Sequence, residues 1–232
     1  MGSGGDLEGL TEEILRIGLF DGVQKEYPLG LMTTYRVGGP AALFVRPCNE
    51  EELLRLAQVT AGSKVPILLL GRGSNMLVSD EGFEGLVIQL GSGFEGIRIR
   101  DGVVVSGGAV DMPIVARRSV AEDLAGFEWA VGVPGSVGGA VRMNAGGHGS
   151  DMAAVLRSTL SVDLHSGERS CRTVGELKLG YRSSAIRASE VVMEVELALE
   201  LGKSEDGERL LADIVRWRRK HQPGGQNSGS VF

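Results

Sequence analysis

Residues 132–149 read Gly-Val-Pro-Gly-Ser-Val-Gly-Gly-Ala-Val-Arg-Met-Asn-Ala-Gly-Gly-His-Gly, a stretch in which seven of eighteen positions are glycine and only Arg142 and His148 can carry charge. Glycine lets backbone approach a ligand closely and reach φ > 0 without a Cβ penalty. Successive unhindered N–H groups can then form concave nests for anions such as phosphate. A set of tight turns between strands is the plainer reading. Two further sites keep the anion-binding reading open: Gly71-Arg-Gly-Ser-Asn75 and Gly38-Gly-Pro40. One ligand carrying several phosphates would organise all three.

Working outward, the 232 residues suffice for one large or two modest domains, and 36 glycines are about double the usual share of roughly 7%. The glycines are not periodic, which excludes a collagen-like repeat, and the apolar runs between them argue against disorder. A net charge of −6 gives no general basis for binding nucleic acid or an anionic membrane. Cys48 and Cys171 form neither a disulfide framework nor a metal-ligand spacing, and are expected to be buried or idle thiols in a reducing compartment. His148, His165 and His221 lie far apart, so no metal site is expected. The first residues carry no basic and apolar signal, and no apolar run approaches a membrane span of about 18 residues. A cytoplasmic location, with no membrane, nucleic-acid or obligate protein partner, is the expectation.

Along the chain, Leu10, Ile14, Leu15 and Leu19 recur at helical spacing, predicting a helix over 11–20. Strands are expected at Leu43–Arg46, Pro66–Leu70 and Gly85–Leu90. Asn49 followed by Glu52 predicts an N-cap with a capping-box partner for a helix reaching Thr60. Ile97/Ile99 and Val103/Val105 alternate around Asp101-Gly102, a two-residue hairpin signal. Asp111 and Pro113 suit an N-cap and first turn for a helix to about Asp123. A hairpin is expected from Val155–Leu164 and Arg169–Val174, and Val191–Leu201 alternates as a half-buried strand. Residues 202–207 read as a linker before a helix whose face carries Leu210, Leu211, Ile214, Val215 and Arg218. The Gly71–Asn75 loop lacks the third glycine and following helix of a dinucleotide fingerprint, and the Gly-Lys-Ser/Thr of a P-loop. Backbone amides remain its means of holding phosphate.

Six stretches together are similar to the UDP-N-acetylenolpyruvoylglucosamine reductases of peptidoglycan synthesis: 34–41, 70–77, 132–139, 143–146, 180–183 and 228–232. The resemblance implies an α+β, two-lobed FAD-binding module of the vanillyl-alcohol-oxidase type plus the start of a third, substrate-binding domain. It divides the chain into an N-terminal helical segment (1–29), FAD-binding lobes at 30–90 and 91–203, and the opening of the substrate domain at 204–232. Non-covalent FAD, NADPH as hydride donor and a UDP-sugar enolpyruvate substrate follow from it. The expected cofactor-binding residues are Arg36, Gly38, Gly39, Gly71, Arg72, Gly73, Ser74, Asn75 and Met76 on the first side. On the second they are Gly132, Val133, Pro134, Gly135, Ser136, Gly138, Gly139, Asn144, Ala145 and Gly146. Arg72 and Arg36 are each open to a phosphate or a solvent role, and His148 is taken as a cleft or surface residue.

In the same resemblance, Arg182 binds the substrate carboxylate and stabilises the enolate formed when hydride reaches the substrate methylene. Tyr181 contacts substrate or flavin, or simply packs, and Ser230 gives the proton to the enolate carbon, a base strong enough to accept one from a hydroxyl. The family's third catalytic group, a glutamate near the C-terminus, has no counterpart here: no glutamate follows Glu208. FAD binding with impaired turnover is therefore the expectation. The alternatives are a non-catalytic FAD- or nucleotide-binding fragment, or another FAD oxidoreductase of the same superfamily.

Overall fold

The computed structural model describes residues 3–19, 21–222 and 225. Its elements run, in chain order, α1 (Ser3–Arg16), β1 (Val23–Tyr27), β2 (Ala41–Val45), α2 (Glu50–Thr60), β3 (Ile67–Leu69), β4 (Phe83–Ile88), β5 (Ile97–Arg100), β6 (Val103–Gly107) and α3 (Met112–Ala121). There follow β7 (Leu124–Ala125), α4 (Val137–Arg142), β8 (Gly146–Gly147), β9 (Ser150–Asp151), β10 (Leu156–Asp163), β11 (Arg169–Thr173), α5 (Val174–Leu177), β12 (Glu190–Ala198), β13 (Glu200–Leu201) and α6 (Ser204–His221).

Two sheets dominate. The first has the order β1-β2-β4-β3, with β1 antiparallel to β2 and the β2/β4 and β3/β4 pairs parallel. The second is antiparallel, in the order β11-β10-β12-β6-β5. The parallel pairs require crossovers, and α2 supplies the one between β2 and β3. Its start follows the sequence expectation: the Asn49 side chain accepts the Glu52 N–H at 2.9 Å, and the Glu52 carboxylate reaches back to the Cys48 N–H at 2.7 Å. The β5–β6 turn also follows it, with Asp101 and Gly102 at φ 51° and 78°, the paired positive values of a type I′ turn.

β12 departs from the half-buried pattern. Glu190 through Met193 are buried on both faces. Val191 and Met193 join a core with Leu43, Leu86 and Ile88 of the first sheet and Leu53 and Leu56 of α2. Val192, Val195 and Leu197 join a second core with Val115 of α3, Val137 of α4 and Ile214 of α6. This strand is the seam that joins the two halves.

Four boundaries differ from the sequence reading. The first helix begins at Ser3 and ends at Arg16, and β1 lies within the 1–29 segment expected to be helical, as the edge of the first sheet. The expected linker 202–207 shrinks to Gly202-Lys203, because the Ser204 N–H donates to the Asp123 carboxylate at 2.8 Å and starts α6 there. Gly207 is a helix residue whose missing side chain makes room for Val120 of α3; a Cβ would come within 2.7 Å of it. Asp111 precedes α3 but makes no capping bond, since its carboxylate is held by Arg72. Finally, the glycine stretch contains α4, capped by the Ser136 hydroxyl.

Candidate active site

A cleft of about 280 Å³ opens between the ends of β3 and β4 and the start of β12 with α4. Its walls are apolar where Ile67, Leu69, Val191 and Val192 face it. Ile67–Leu69, expected as a buried strand, is only half-buried because this wall is open. Of the expected cofactor residues, Gly71, Arg72, Ser136, Gly138 and Gly139 line the cleft together. The loops that carry them touch beyond it, the Ser74 hydroxyl donating to the Pro134 carbonyl at 3.2 Å.

The Gly71–Asn75 loop is held by everything except its N–H groups. The Gly71 carbonyl accepts from the buried Gln89 side chain at 2.8 Å, and Gln89 in turn accepts from Arg46 at 2.8 Å. The Gly73 carbonyl accepts the Thr34 N–H at 3.2 Å. None of the N–H groups from Gly71 to Asn75 finds an acceptor among the described residues. Buried backbone donors in folded proteins are almost always paired, so the open N–H of the buried Gly73 suits a ligand as acceptor, and the N–H groups on either side, at half-buried and exposed residues, are free to join it.

The glycine stretch offers fewer donors than its composition suggests. Val137 and Gly138 donate to the carbonyls of Val110 and Gly108, and Gly139 faces the Ser136 hydroxyl. Asn144 and Ala145 donate to Val141 and Ala140, and Gly146 pairs with Asp151 in the β8–β9 ladder. Gly135 and Ser136 keep their N–H groups open among the described residues. Val133 packs at the edge of the core around α3, and Gly132 lies under Ile214 and His148. His148 is exposed and meets the Trp217 ring edge-on at 5.1 Å.

Arg36, Gly38 and Gly39 do not reach the cleft. Arg36 N–H donates to Thr33 and Gly39 N–H to Ser79, so this turn buttresses the segment after Asn75, where Met76 packs among Leu29, Phe44 and Val78. Arg72 spans the cleft mouth, paired with Asp111 and with Glu95 at 3.1 Å and donating to the Ala109 carbonyl at 3.0 Å. Arg142 is the cation the sequence reading left without a role. It is half-buried at the end of α4, lines the cleft, and its guanidinium has no partner among the described residues. Its being the lone arginine in an apolar glycine run was the available signal.

Tyr181 and Arg182 form the tip of a turn closed by reciprocal bonds between Gly180 and Ser183 at 3.0 and 3.2 Å. Tyr181 is 92% exposed, and Arg182, at φ 52°, lays its guanidinium over the Tyr181 ring at 6.0 Å. Ser230 lies outside the described residues.

Two sheets meet over a cleft edged by open backbone donors and lined by Arg72, Arg142 and Arg187, an arrangement that suits a phosphate-bearing ligand such as FAD. Residues 41–169 match the family described as FAD binding domain. The fold resembles alkyldihydroxyacetonephosphate synthase, at TM-score 0.61 and 17% identity over 84% of this chain and 40% of that one. A solved structure of UDP-N-acetylenolpyruvylglucosamine reductase (MurB) from Thermus caldophilus superposes at TM-score 0.78 and 33% identity, over 90% of this chain and 74% of that one. Relatives bearing the name UDP-N-acetylenolpyruvoylglucosamine reductase include that of Heliobacterium modesticaldum, 38% identical over 90% of this chain and 67% of its own length. Another is that of Anoxybacillus flavithermus, 35% identical over 97% of this chain and 75% of its own. The chain thus carries a vanillyl-alcohol-oxidase-type FAD-binding domain. It belongs to the UDP-N-acetylenolpyruvoylglucosamine reductase family.

Proposed function

We propose that the chain reduces UDP-N-acetylglucosamine enolpyruvate to UDP-N-acetylmuramate, with NADPH as hydride donor and FAD held in the cleft between the sheets. The row of five open N–H groups from Gly71 to Asn75 is the observation that carries this reading. Bound FAD would supply the hydride-transfer chemistry. The chain's own residues bind, orient and screen. Gly71–Asn75, with Gly135 and Ser136 opposite, would hold the pyrophosphate through fixed backbone dipoles that need no reorganisation. Arg142 adds a half-buried cation, and Ile67, Leu69 and Val191 keep water from the apolar part of the site.

Arg182 would meet the substrate carboxylate with paired donors and stabilise the negative charge that reduction pushes onto it. Tyr181, stacked on Arg182, limits the guanidinium's freedom and offers the substrate a flat apolar face. Ser230 would deliver its hydroxyl proton to the carbon beside the carboxylate. The lobes are taken as residues 30–90 and 91–203, with the substrate domain opening at Ser204 on a helix packed against α3. The free thiols of Cys48 and Cys171 suit the reducing cytoplasm.

Three measurements test the proposal. The purified protein should be yellow, or become so on adding FAD, and NADPH oxidation should depend on the enolpyruvyl sugar nucleotide. A protein that takes up no FAD overturns it; one that takes up FAD but neither binds nor reduces the sugar nucleotide leaves only a flavin-binding module. Ser230→Ala should stop substrate reduction while sparing FAD reduction by NADPH.

A further inference from the structure

Asn144 stands among the expected cofactor residues, yet its side chain is used up inside the protein. It is buried, at φ 39°, with Oδ1 accepting the Ala153 N–H at 3.0 Å. Nδ2 donates to Asp151 Oδ2 at 3.1 Å and to the Gly180 carbonyl at 3.0 Å. A carboxamide has two N–H donors, and both are spent. The second reaches 36 residues along the chain, to the turn that carries Tyr181 and Arg182.

A second tie runs the same way. The Ser184 hydroxyl donates to the Arg142 carbonyl at 2.7 Å. Gly180 and Ser184 flank the Tyr181-Arg182 tip, so the turn is fastened on both sides to the C-terminal end of α4. α4 faces the cleft along its length, through Ser136, Gly138 and Gly139 at its start and Arg142 at its end. At 1.5 Å per residue, the helix spans about 9 Å. One short, capped helix on the cleft wall therefore fixes the place of the turn that carries Arg182.

We propose that Asn144 and Ser184 are positioning residues: they clamp the 180–184 turn to α4 and so set where Arg182 stands relative to the cleft. The inference rests on the reading of Arg182 as the partner of the substrate carboxylate. It takes Asn144 out of the cofactor set and gives it to the substrate side, and it explains why a buried asparagine occupies a left-handed position that few side chains adopt.

Asn144→Asp tests the clamp, because aspartate keeps the size and the tolerance of positive φ but turns two donors into acceptors facing the Gly180 carbonyl and Asp151. The first readout needs no turnover. Trypsin cuts after Arg182, and mass spectrometry follows the fragment ending there in FAD-saturated protein. Cleavage after Arg182 should rise about 10-fold in Asn144→Asp and by a smaller factor in Ser184→Ala, in keeping with the loss of buried hydrogen bonds. Cleavage after Lys203 and the affinity for FAD should stay within about twofold. Unchanged cleavage at Arg182, or a fall in FAD affinity equal to the gain in cleavage, overturns the inference.

The second readout is a double-mutant cycle on binding and reduction of the enolpyruvyl sugar nucleotide. Asn144→Asp should weaken both in the unsubstituted chain and have no further effect alongside Arg182→Ala; a loss of equal size in both backgrounds marks a merely structural residue and overturns the assignment. If the unsubstituted chain neither binds nor reduces that substrate, the proposed function fails, and the trypsin result alone decides whether the clamp exists.

Discussion

Gly73→Ala probes the donor row most sharply. Gly73 sits at φ 64°, and a Cβ built on it would lie 2.1 Å from the Met32 carbonyl oxygen. The left-handed conformation alone costs alanine about 1–2 kcal/mol. Relieving the contact to the 3.4 Å of ordinary packing demands a shift of about 1.3 Å in the Gly71–Asn75 loop. That is enough to break any N–H···O bond of about 2.9 Å that the loop makes. Hydrogen bonds to a charged acceptor contribute about 1.5–3 kcal/mol each, so losing two of the five predicts about 3–6 kcal/mol of FAD binding. The dissociation constant for FAD should rise by about 10²–10⁴. Gly62→Ala is the control: Gly62 has φ 75° and nothing within 4 Å of its built Cβ, so it carries the same conformational cost away from the cleft. Flavin fluorescence titration and urea unfolding, run on both variants, separate affinity from stability. If Gly73→Ala binds FAD within threefold of the unsubstituted chain, the donor row is not the pyrophosphate site and the reasoning fails.

Other expectations follow from the same geometry. Arg142→Gln should weaken FAD binding by about tenfold and reduce its salt dependence while leaving the melting temperature nearly unchanged, as checked by titration at two ionic strengths. Gln89→Leu strips the Gly71 carbonyl and the Arg46 guanidinium of their shared partner; it should cost about 1–3 kcal/mol in urea unfolding and also weaken FAD binding. Asp163 is buried; burial alone would raise its pKa, but bonds from the His165 and Ser166 N–H groups and the Ser189 hydroxyl, with the Arg187 guanidinium alongside, leave it below the ordinary aspartate value. Its contribution is therefore fully present above the unfolded carboxyl's titration near pH 3.9 and is lost as pH falls through the lower folded value. Asp163→Asn should cost about 3 kcal/mol at neutral pH and flatten the acid side of the stability curve.

What was legible in the sequence had local causes. The Asn49 cap and the Asp101-Gly102 hairpin are written in residues a few positions apart, and both stand where expected. The Gly71–Asn75 loop follows β3, as the sequence expectation had it, and its N–H groups find no acceptor among the described residues. What escaped depends on distant partners. α4 forms across Gly138-Gly139, poor helix formers, because carbonyls at Gly108 and Val110 meet its first N–H groups. Asp111 was read as a helix cap, but Arg72, from the other sheet's loop, takes its carboxylate. Ile67–Leu69 looks like core in sequence, and only the architecture reveals that it lines the cleft. Asn144 was given to the cofactor by its motif; its actual partners include a carbonyl 36 residues away.

In the proposed function, FAD is held by the open amides of Gly71–Asn75. Amide NMR of isotope-labelled protein, recorded through an FAD titration, reads that claim directly. The N–H signals of Gly71, Arg72, Gly73, Ser74 and Asn75 should move downfield together and saturate with the flavin's own binding curve. FAD binding that leaves those five signals in place, with the shifts gathered elsewhere, would contradict the account.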